Sequence, residues 1–299
     1  MSILEKPSQT IDIGGDLTVS RIGLGAMRLT GPELWNSYPD HDAGLEFLRG
    51  AIDAGVTLID TADVYGPHTN EELIREALFP YKSGLVVATK GGFVRGSRDF
   101  ASLAAIGNSN YLRQAARLSA RRLGVERIDL YYLHSGHASD APFASQIETL
   151  VELQSEGVIR HIGLSNVTVE QFEQARTIAP IAAVTAHYNL VDRSNEPLLI
   201  AAEAAGAVFV PWQPVSLIPP RDARTDVRGS EEIRRVVEPI ALAHHATTSQ
   251  IFLAWLLQRS RSILPIPGTT SPVHLLANLA AQDVALDGEE IAALNAIVP

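Results

Sequence analysis

Along most of the chain, short runs of β-branched and apolar residues give way to a polar loop. A stretch follows in which apolar residues recur every three or four positions. The first pattern predicts a strand and the second a helix with one buried face. Val56–Asp60 reads as strand and Glu71–Leu78 as helix, then Leu85–Lys90 and Tyr111–Leu123, Ile128–His134 and Phe143–Glu156, Ile159–Ser165 and Val169–Ile178, and Ala183–Tyr188 and Glu196–Ala205. Ala207–Trp212 precedes helices near Glu231–His244 and Ser249–Arg259, and Ile263–Ile266 precedes one near Val273–Ala281. Ile22–Leu24 and the helix Asp42–Ala54 form the unit before all of these. Ile11–Ser20 reads as a hairpin turning at Gly14-Gly15-Asp16, placed to cap the bottom of whatever follows.

About eight β/α units in a row predict a parallel sheet covered by helices. In one chain of this size they predict an α/β fold, a (β/α)₈ TIM barrel with an N-terminal β-hairpin cap. The competing open sheet normally carries a glycine fingerprint after its first strand. Gly23-Leu24-Gly25-Ala26-Met27 lacks the third glycine and the immediate helix. No Pro/Gly/Ser-rich linker divides the chain, so residues 1–299 read as a single domain. The longest irregular stretches, Gly91–Asn110 and Gln213–Gly229, follow strand ends, where barrel active-site loops lie.

Composition narrows the chemistry. With 34 Asp+Glu against 24 Lys+Arg, the net charge of −10 argues against nonspecific nucleic-acid binding. The chain has no cysteine, which removes disulfides, Zn–thiolate sites, Fe–S clusters and a thiol nucleophile. No signal peptide and no apolar run of spanning length is visible, so the expectation is a cytoplasmic protein with no membrane partner. His134 and His137, three apart, and the adjacent His244 and His245 would make a metal site only if brought together with carboxylates, and no metal site is expected.

The strand ends carry the candidate chemistry. The second delivers Asp60 and, five residues on, Tyr65. The third delivers Lys90, the fourth His134, the fifth Ser165 and Asn166, and the seventh Trp212. Each alone has an ordinary reading: a helix cap, a solvated strand end, packing, a core histidine. A barrel brings them to one rim. A buried Lys90 needs a counter-charge, and Asp60 on the adjacent strand is the expected partner. Lys90 is expected to favour the Tyr65 phenolate and so to lower its pKa. Tyr65 would then act as general acid toward a substrate oxygen that His134 orients. Such a site suits carbonyl reduction with hydride from a cofactor, since the protein has no redox group of its own.

Ile22–Met27, Ile59–Gly66, Ala88–Gly91, Asp129–His134, Ile162–Asn166, Tyr188–Leu190 and Leu264–Thr270, in this order and spacing, resemble the aldo-keto reductase superfamily over nearly the whole chain. The resemblance implies a barrel that binds NADP(H), and Asp60, Tyr65, Lys90 and His134 as its catalytic tetrad. It implies that Gly25, Ala26, Met27 and Asp60 touch the cofactor, and that Ser165 and Asn166 hold the nicotinamide carboxamide. Trp212 takes the place of the aromatic residue that stacks on the nicotinamide. Gln213, Val215 and Leu217 lie on the loop over the pyrophosphate. Gly268, Thr269, Thr270, His274 and Asn278 lie where the adenosine half binds, and a helix starting just after Thr270 would offer free N–H groups to a phosphate.

The chain departs from the family at several points. Thr185 stands where the family often has Gln. Gly268 and His274 stand where Lys and Arg often grip the 2′-phosphate, and Ala277 replaces an adenosine-binding Glu. NADPH is favoured on the resemblance, with NADH possible. Met27, Trp35, Phe93, His137 and Leu217 are candidate substrate-facing residues. The stretches Tyr65–His68 and Ile74–Leu78 resemble a bacterial branch that includes pyridoxal reductases. The competing readings are a Schiff-base lyase using Lys90 and a regulatory, cofactor-holding β-subunit-like protein. The expected partner is a small-molecule carbonyl substrate; oligomeric state is not legible.

Overall fold

The computed structural model describes residues 9–216 and 228–297. After a hairpin of β1 (Thr10–Ile13) and β2 (Leu17–Ser20), parallel strands alternate with helices. The strands are β3 (Leu24–Gly25), β4 (Leu58–Asp60), β5 (Val86–Gly91), β8 (Ile128–Leu133), β9 (Ile159–Ser165), β10 (Ala183–His187) and β11 (Val208–Trp212). They pair in the order β11-β10-β9-β8-β5-β4-β3.

Residues 263–267 close this sheet into a (β/α)₈ barrel. On one side Leu264 N donates to Phe209 O (2.9 Å) and Ile266 N to Pro211 O (3.5 Å). On the other, Gly23 N donates to Pro265 O (3.0 Å) and Gly25 N to Pro267 O (3.4 Å). Residues of a parallel strand address their two neighbours alternately. Pro265 and Pro267 therefore sit where a missing N–H costs bonds only toward β3, which is why this segment pairs without forming a full ladder.

Side chains fill the barrel. Leu58, Ala88, Leu130, Tyr132, Ala183, Val208, Val210, Leu264 and Ile266 pack in one cluster with Ile13, Leu17 and Val19 of the hairpin. The hairpin thus plugs the N-terminal mouth, as expected. Asp16 in its turn pairs with Arg160 and His161 at the start of β9, both at 2.6 Å. Tyr132 fits because Gly163 faces it: a Cβ there would lie 2.4 Å from Tyr132 Cδ1. Gly163→Ala is expected to cost about 1–3 kcal/mol by overpacking, read as a lower denaturant midpoint at unchanged slope.

The outer helices are α1 (His41–Asp53), α2 (Thr69–Leu78), α3 (Ser109–Leu123), α4 (Phe143–Ser155), α5 (Val169–Arg176), α6 (Glu196–Ala204), α7 (Arg228–Ala243), α8 (Thr248–Arg259), α9 (Pro272–Ala280) and α10 (Gly288–Asn295). Two elements differ from the sequence reading. The stretch Gly91–Asn110 contains a hairpin, β6 (Phe93–Arg95) with β7 (Leu103–Ala105). The segment after α9 forms α10, started by a capping box between Asp287 and Glu290. Among the described residues, no helix is long and apolar enough to cross a membrane.

Candidate active site

Four side chains from separate elements meet at the C-terminal rim. Asp60 ends β4 and Lys90 lies near the end of β5, two residues beyond Ala88, the partner of Asp60. Both are 3 % exposed. Lys90 Nζ bonds Asp60 Oδ1 directly and donates to Thr61 O at 2.8 Å. The same ammonium lies 5.4 Å from the Tyr65 ring centre and 5.7 Å from that of Tyr132. His134 follows β8, its ring edge-on to Tyr65 (6.0 Å) and to Phe93 (4.8 Å).

The Tyr65 turn is held by the loop after β3. Gly66 N donates to Leu34 O at 3.2 Å, and Trp35 bridges to Gly66. Gly66 has φ +85°, and a Cβ there would meet Thr69 Oγ1, so the turn needs glycine.

The electrostatics follow from burial. Burial disfavours the Lys90 ammonium, but the charges and hydrogen bonds of Asp60 and Tyr65 outweigh it and hold the amine above its usual range. Asp60 ends above the usual carboxylate range because burial outweighs Lys90. The sequence-based expectation for Tyr65 is reversed. Desolvation is the largest effect, Lys90 offsets only part of it, and the phenol is pushed up rather than down. Tyr65 therefore rests firmly protonated. Burial, reinforced by Lys90, pushes His134 well below the usual imidazole range. Its Nδ1 is buried without a hydrogen bond. A buried N–H lacking an acceptor costs more than a bare lone pair, so the neutral ring carries its hydrogen on Nε2.

A second group lies beside the first. Ser165 ends β9, and Asn166 Nδ2 donates to its hydroxyl at 2.9 Å. Trp212 ends β11, and its Nε1 donates to Asn166 Oδ1 at 3.2 Å. Thr185, in register with Ser165, has a buried hydroxyl with no hydrogen-bond partner. Gln213 is exposed, and its carbonyl accepts from Asn189 Nδ2 at 3.1 Å. Val215 is half-buried, its side chain packed against the core. Leu217 lies outside the described residues.

The third group surrounds the end of the barrel seam. Gly25 is buried where a Cβ would lie 2.8 Å from Ile266 O, so close backbone approach demands glycine there. Ala26 is buried, with its carbonyl accepting from Asn70 Nδ2 at 3.0 Å, while Met27 faces solvent. Gly268 is exposed, and Thr269 Oγ1 accepts from Ser271 N at 3.1 Å. Thr270 is half-buried. His274 is exposed in the first turn of α9, and Asn278 is buried in its second half. The start of α9 is poorer in donors than expected: Pro272 has no N–H, and Ser271 Oγ already accepts from His274 N.

Sequence reading missed one residue here. The stem of Arg28, in the loop after β3, lies 3.8 Å from where a Cβ of Gly268 would stand. Arg28 is exposed, and it restores a cation to the seam end from 240 positions away in the sequence. Trp35 and Phe93 are half-buried near the Tyr65–His134 mouth, while His137 is exposed.

Behind the rim, outside the strands, Glu71 is fully buried. It accepts from Thr89 Oγ1 and Arg122 Nε, both at 2.6 Å. Nearby Asp63 is pushed well above the carboxylate range, first by burial and then by Glu71. Its stability contribution is therefore full below the unfolded carboxylate pKa and is lost as pH rises through the folded value. Asp63→Asn cannot ionise. It is expected to match the wild type near pH 4 and to exceed it at pH 8 by on the order of 1 kcal/mol, measured by denaturant titration at both pH values.

A model of the aldo/keto reductase family matches residues 21–299. The chain belongs to the aldo/keto reductase family. This aldo/keto reductase is 39% identical over 282 residues to an uncharacterised oxidoreductase from Schizosaccharomyces pombe, covering 94% of the chain and 87% of that protein. It is 37% identical over 288 residues to pyridoxine 4-dehydrogenase from Escherichia coli, covering 95% of the chain and 96% of that enzyme. Its fold matches an aldo/keto reductase from Klebsiella pneumoniae in complex with NADP and acetate, with TM-score 0.78 and 27% identity over 97% of this chain and 95% of that one. The family makes the protein an oxidoreductase of carbonyl and alcohol groups.

Proposed function

We propose that this enzyme reduces an aldehyde or ketone to an alcohol with NADPH, and that Tyr65 gives the proton. The observation that carries the reading is the rim cluster itself: a protonated, half-buried phenol beside a buried Lys90–Asp60 pair and a neutral His134. The residues present fit the cofactor. Ser165, Asn166 and Trp212 would hold the nicotinamide end, with the unpartnered Thr185 hydroxyl beside them. Gly268, Thr269 and Thr270, with Arg28, would hold the phosphate-bearing end. Arg28 is what favours NADPH over NADH where the family's usual cations are missing.

The bound cofactor supplies the hydride. Tyr65 Oη presents its proton to the substrate oxygen, and His134 Nε2–H steadies that oxygen as it gains negative charge. The raised pKa keeps the acid loaded at neutral pH. Lys90 stabilises the phenolate left behind, so its main effect comes during proton transfer rather than at rest. Asp60 keeps Lys90 charged and in place. The same pairing argues against a Schiff-base lyase, because an ammonium held by a carboxylate is a poor nucleophile.

Pyridoxal is the first substrate to test, given the 37% identity to pyridoxine 4-dehydrogenase. The experiment is tryptophan quenching by NADPH and by NADH, followed by NADPH oxidation with pyridoxal and a panel of simple aldehydes. The expected result is tighter quenching by NADPH and turnover of at least one carbonyl. Binding without any turnover would favour the regulatory reading, and no binding of either nucleotide would defeat the proposal.

A further inference from the structure

We infer that His187, fixed by Asp192, is a positioning residue that sets Trp212 and, through it, the amide of Asn166 that grips the nicotinamide carboxamide. The inference rests on the cofactor reading above. His187 and Trp212 are register partners at the ends of β10 and β11, so their side chains stand side by side on one face. Their ring centres lie 4.5 Å apart, tilted by 48°. His187 is 5 % exposed. Its Nδ1 lies 3.0 Å from Asp192 Oδ2. Ser194 N and Oγ hold the other oxygen of Asp192, at 3.0 and 2.7 Å.

The direction of each bond can be worked out. Burial works against the Asp192 carboxylate, but hydrogen bonds from Ser194 and the influence of His187 keep it below its usual range and ionised. An ionised carboxylate only accepts, so His187 carries a hydrogen on Nδ1. That bond fixes the ring plane against which the indole rests. The indole N–H in turn donates to Asn166 Oδ1, which settles the orientation of that amide. Asn166 Nδ2 then donates to Ser165 Oγ and keeps one N–H free. The Ser165 hydroxyl, already accepting, is left to donate its own hydrogen. The pair thus presents two donors to the oxygen of a primary amide and, on the second lone pair of the Asn166 Oδ1 that Trp212 orients, one acceptor to its NH₂.

Asn166 itself is held at φ +53°, a conformation asparagine tolerates, and its N–H bonds Thr185 O at 3.0 Å. Thr185 is too short to reach as a glutamine would. The line from Asp192 to Ser165 does by contact what the longer side chain would do directly.

The test uses NADPH and its 3-acetylpyridine analogue, which replaces the carboxamide NH₂ with methyl. Dissociation constants are measured for wild type, His187→Phe and Trp212→Phe. Wild type is expected to bind the analogue about tenfold more weakly, the equivalent of one good hydrogen bond. His187→Phe keeps a ring against Trp212 and loses the Asp192 bond. Its preference for NADPH over the analogue is expected to fall to about twofold or less. The NADPH/NADH ratio, set at the phosphate end, is expected to stay unchanged. A variant damaged only in folding would weaken all ligands together.

Because both residues act along one line, His187→Phe with Trp212→Phe is expected to discriminate no worse than either alone. Asp192→Asn, which keeps the Ser194 contacts, serves if His187→Phe does not fold, and is expected to lose the same discrimination. Full discrimination retained in His187→Phe, or in Asp192→Asn if that variant replaces it, overturns the inference. Wild type that fails to discriminate overturns the carboxamide grip itself, and the inference with it. Wild type that binds no nucleotide overturns the cofactor reading.

Discussion

Replacing Tyr65 with Phe is expected to lower kcat by about 10²–10⁴-fold, while the affinity for NADPH stays within about twofold. The substitution deletes one hydroxyl at the rim and leaves the ring beside His134 and above Lys90. The Lys90–Asp60 pair is untouched, so neither folding nor the cofactor groups at Ser165, Asn166 and Trp212 should change. Rapid-mixing kinetics with pyridoxal or the best aldehyde found, alongside fluorescence titration, would read both quantities. A variant with wild-type turnover would remove Tyr65 from the chemistry. Equal losses in turnover and cofactor affinity would make it a packing residue.

The larger effect on stability is expected at Asp60. Asp60→Asn leaves the Lys90 ammonium buried without a counter-charge, held by the Thr61 carbonyl and the Tyr65 hydroxyl, and breaking such a pair costs about 3–5 kcal/mol. The pH dependence should change sign. In the wild type the folded pKa of Lys90 is raised, so its contribution is present at neutral pH and lost as pH rises through the folded value. In Asp60→Asn, burial is no longer opposed by a carboxylate and the folded pKa of Lys90 drops below the unfolded one. The deficit is then greatest near neutrality and shrinks toward pH 10. Adding Lys90→Met removes the stranded charge and should recover most of the stability while leaving the enzyme inactive. Chemical denaturation at pH 7 and pH 9.5 tests both claims, and a deficit independent of pH would refute the assignment of the loss to Lys90.

Much of this was legible in the sequence because its cause is local. Strand and helix periodicity carried the barrel. The rule that barrel chemistry gathers at strand ends picked out Asp60, Lys90 and His134 as companions, and the predicted Lys90–Asp60 pair is present. What was not legible depends on distant parts of the chain. The direction of the Tyr65 shift turns on how dry its surroundings are, which no spacing reports. Arg28 meets Gly268 only because the barrel closes. His187 looked like one more residue of an apolar strand, since its meaning comes from Asp192 in the next turn and Trp212 on the next strand. The β6/β7 hairpin is built from two three-residue strands, too short for a period-two pattern to register. The α10 helix did leave a signal, Asp287 three residues before Glu290, which a search for capping boxes would find.

The proline-bearing seam gives the barrel a mechanical asymmetry. Between β3 and residues 263–267 amide protons are contributed from the β3 side at Gly23 and Gly25, and the second of these bonds is long at 3.4 Å. That edge is the natural place for the ring of strands to breathe, and the amides of Gly23 and Gly25 should exchange with deuterium sooner than those of β5 or β8. Gly268 and Arg28 hang from the two lips of this edge. A ligand phosphate gripped there would join the lips and act as a rivet, slowing exchange at the seam before it slowed exchange anywhere else.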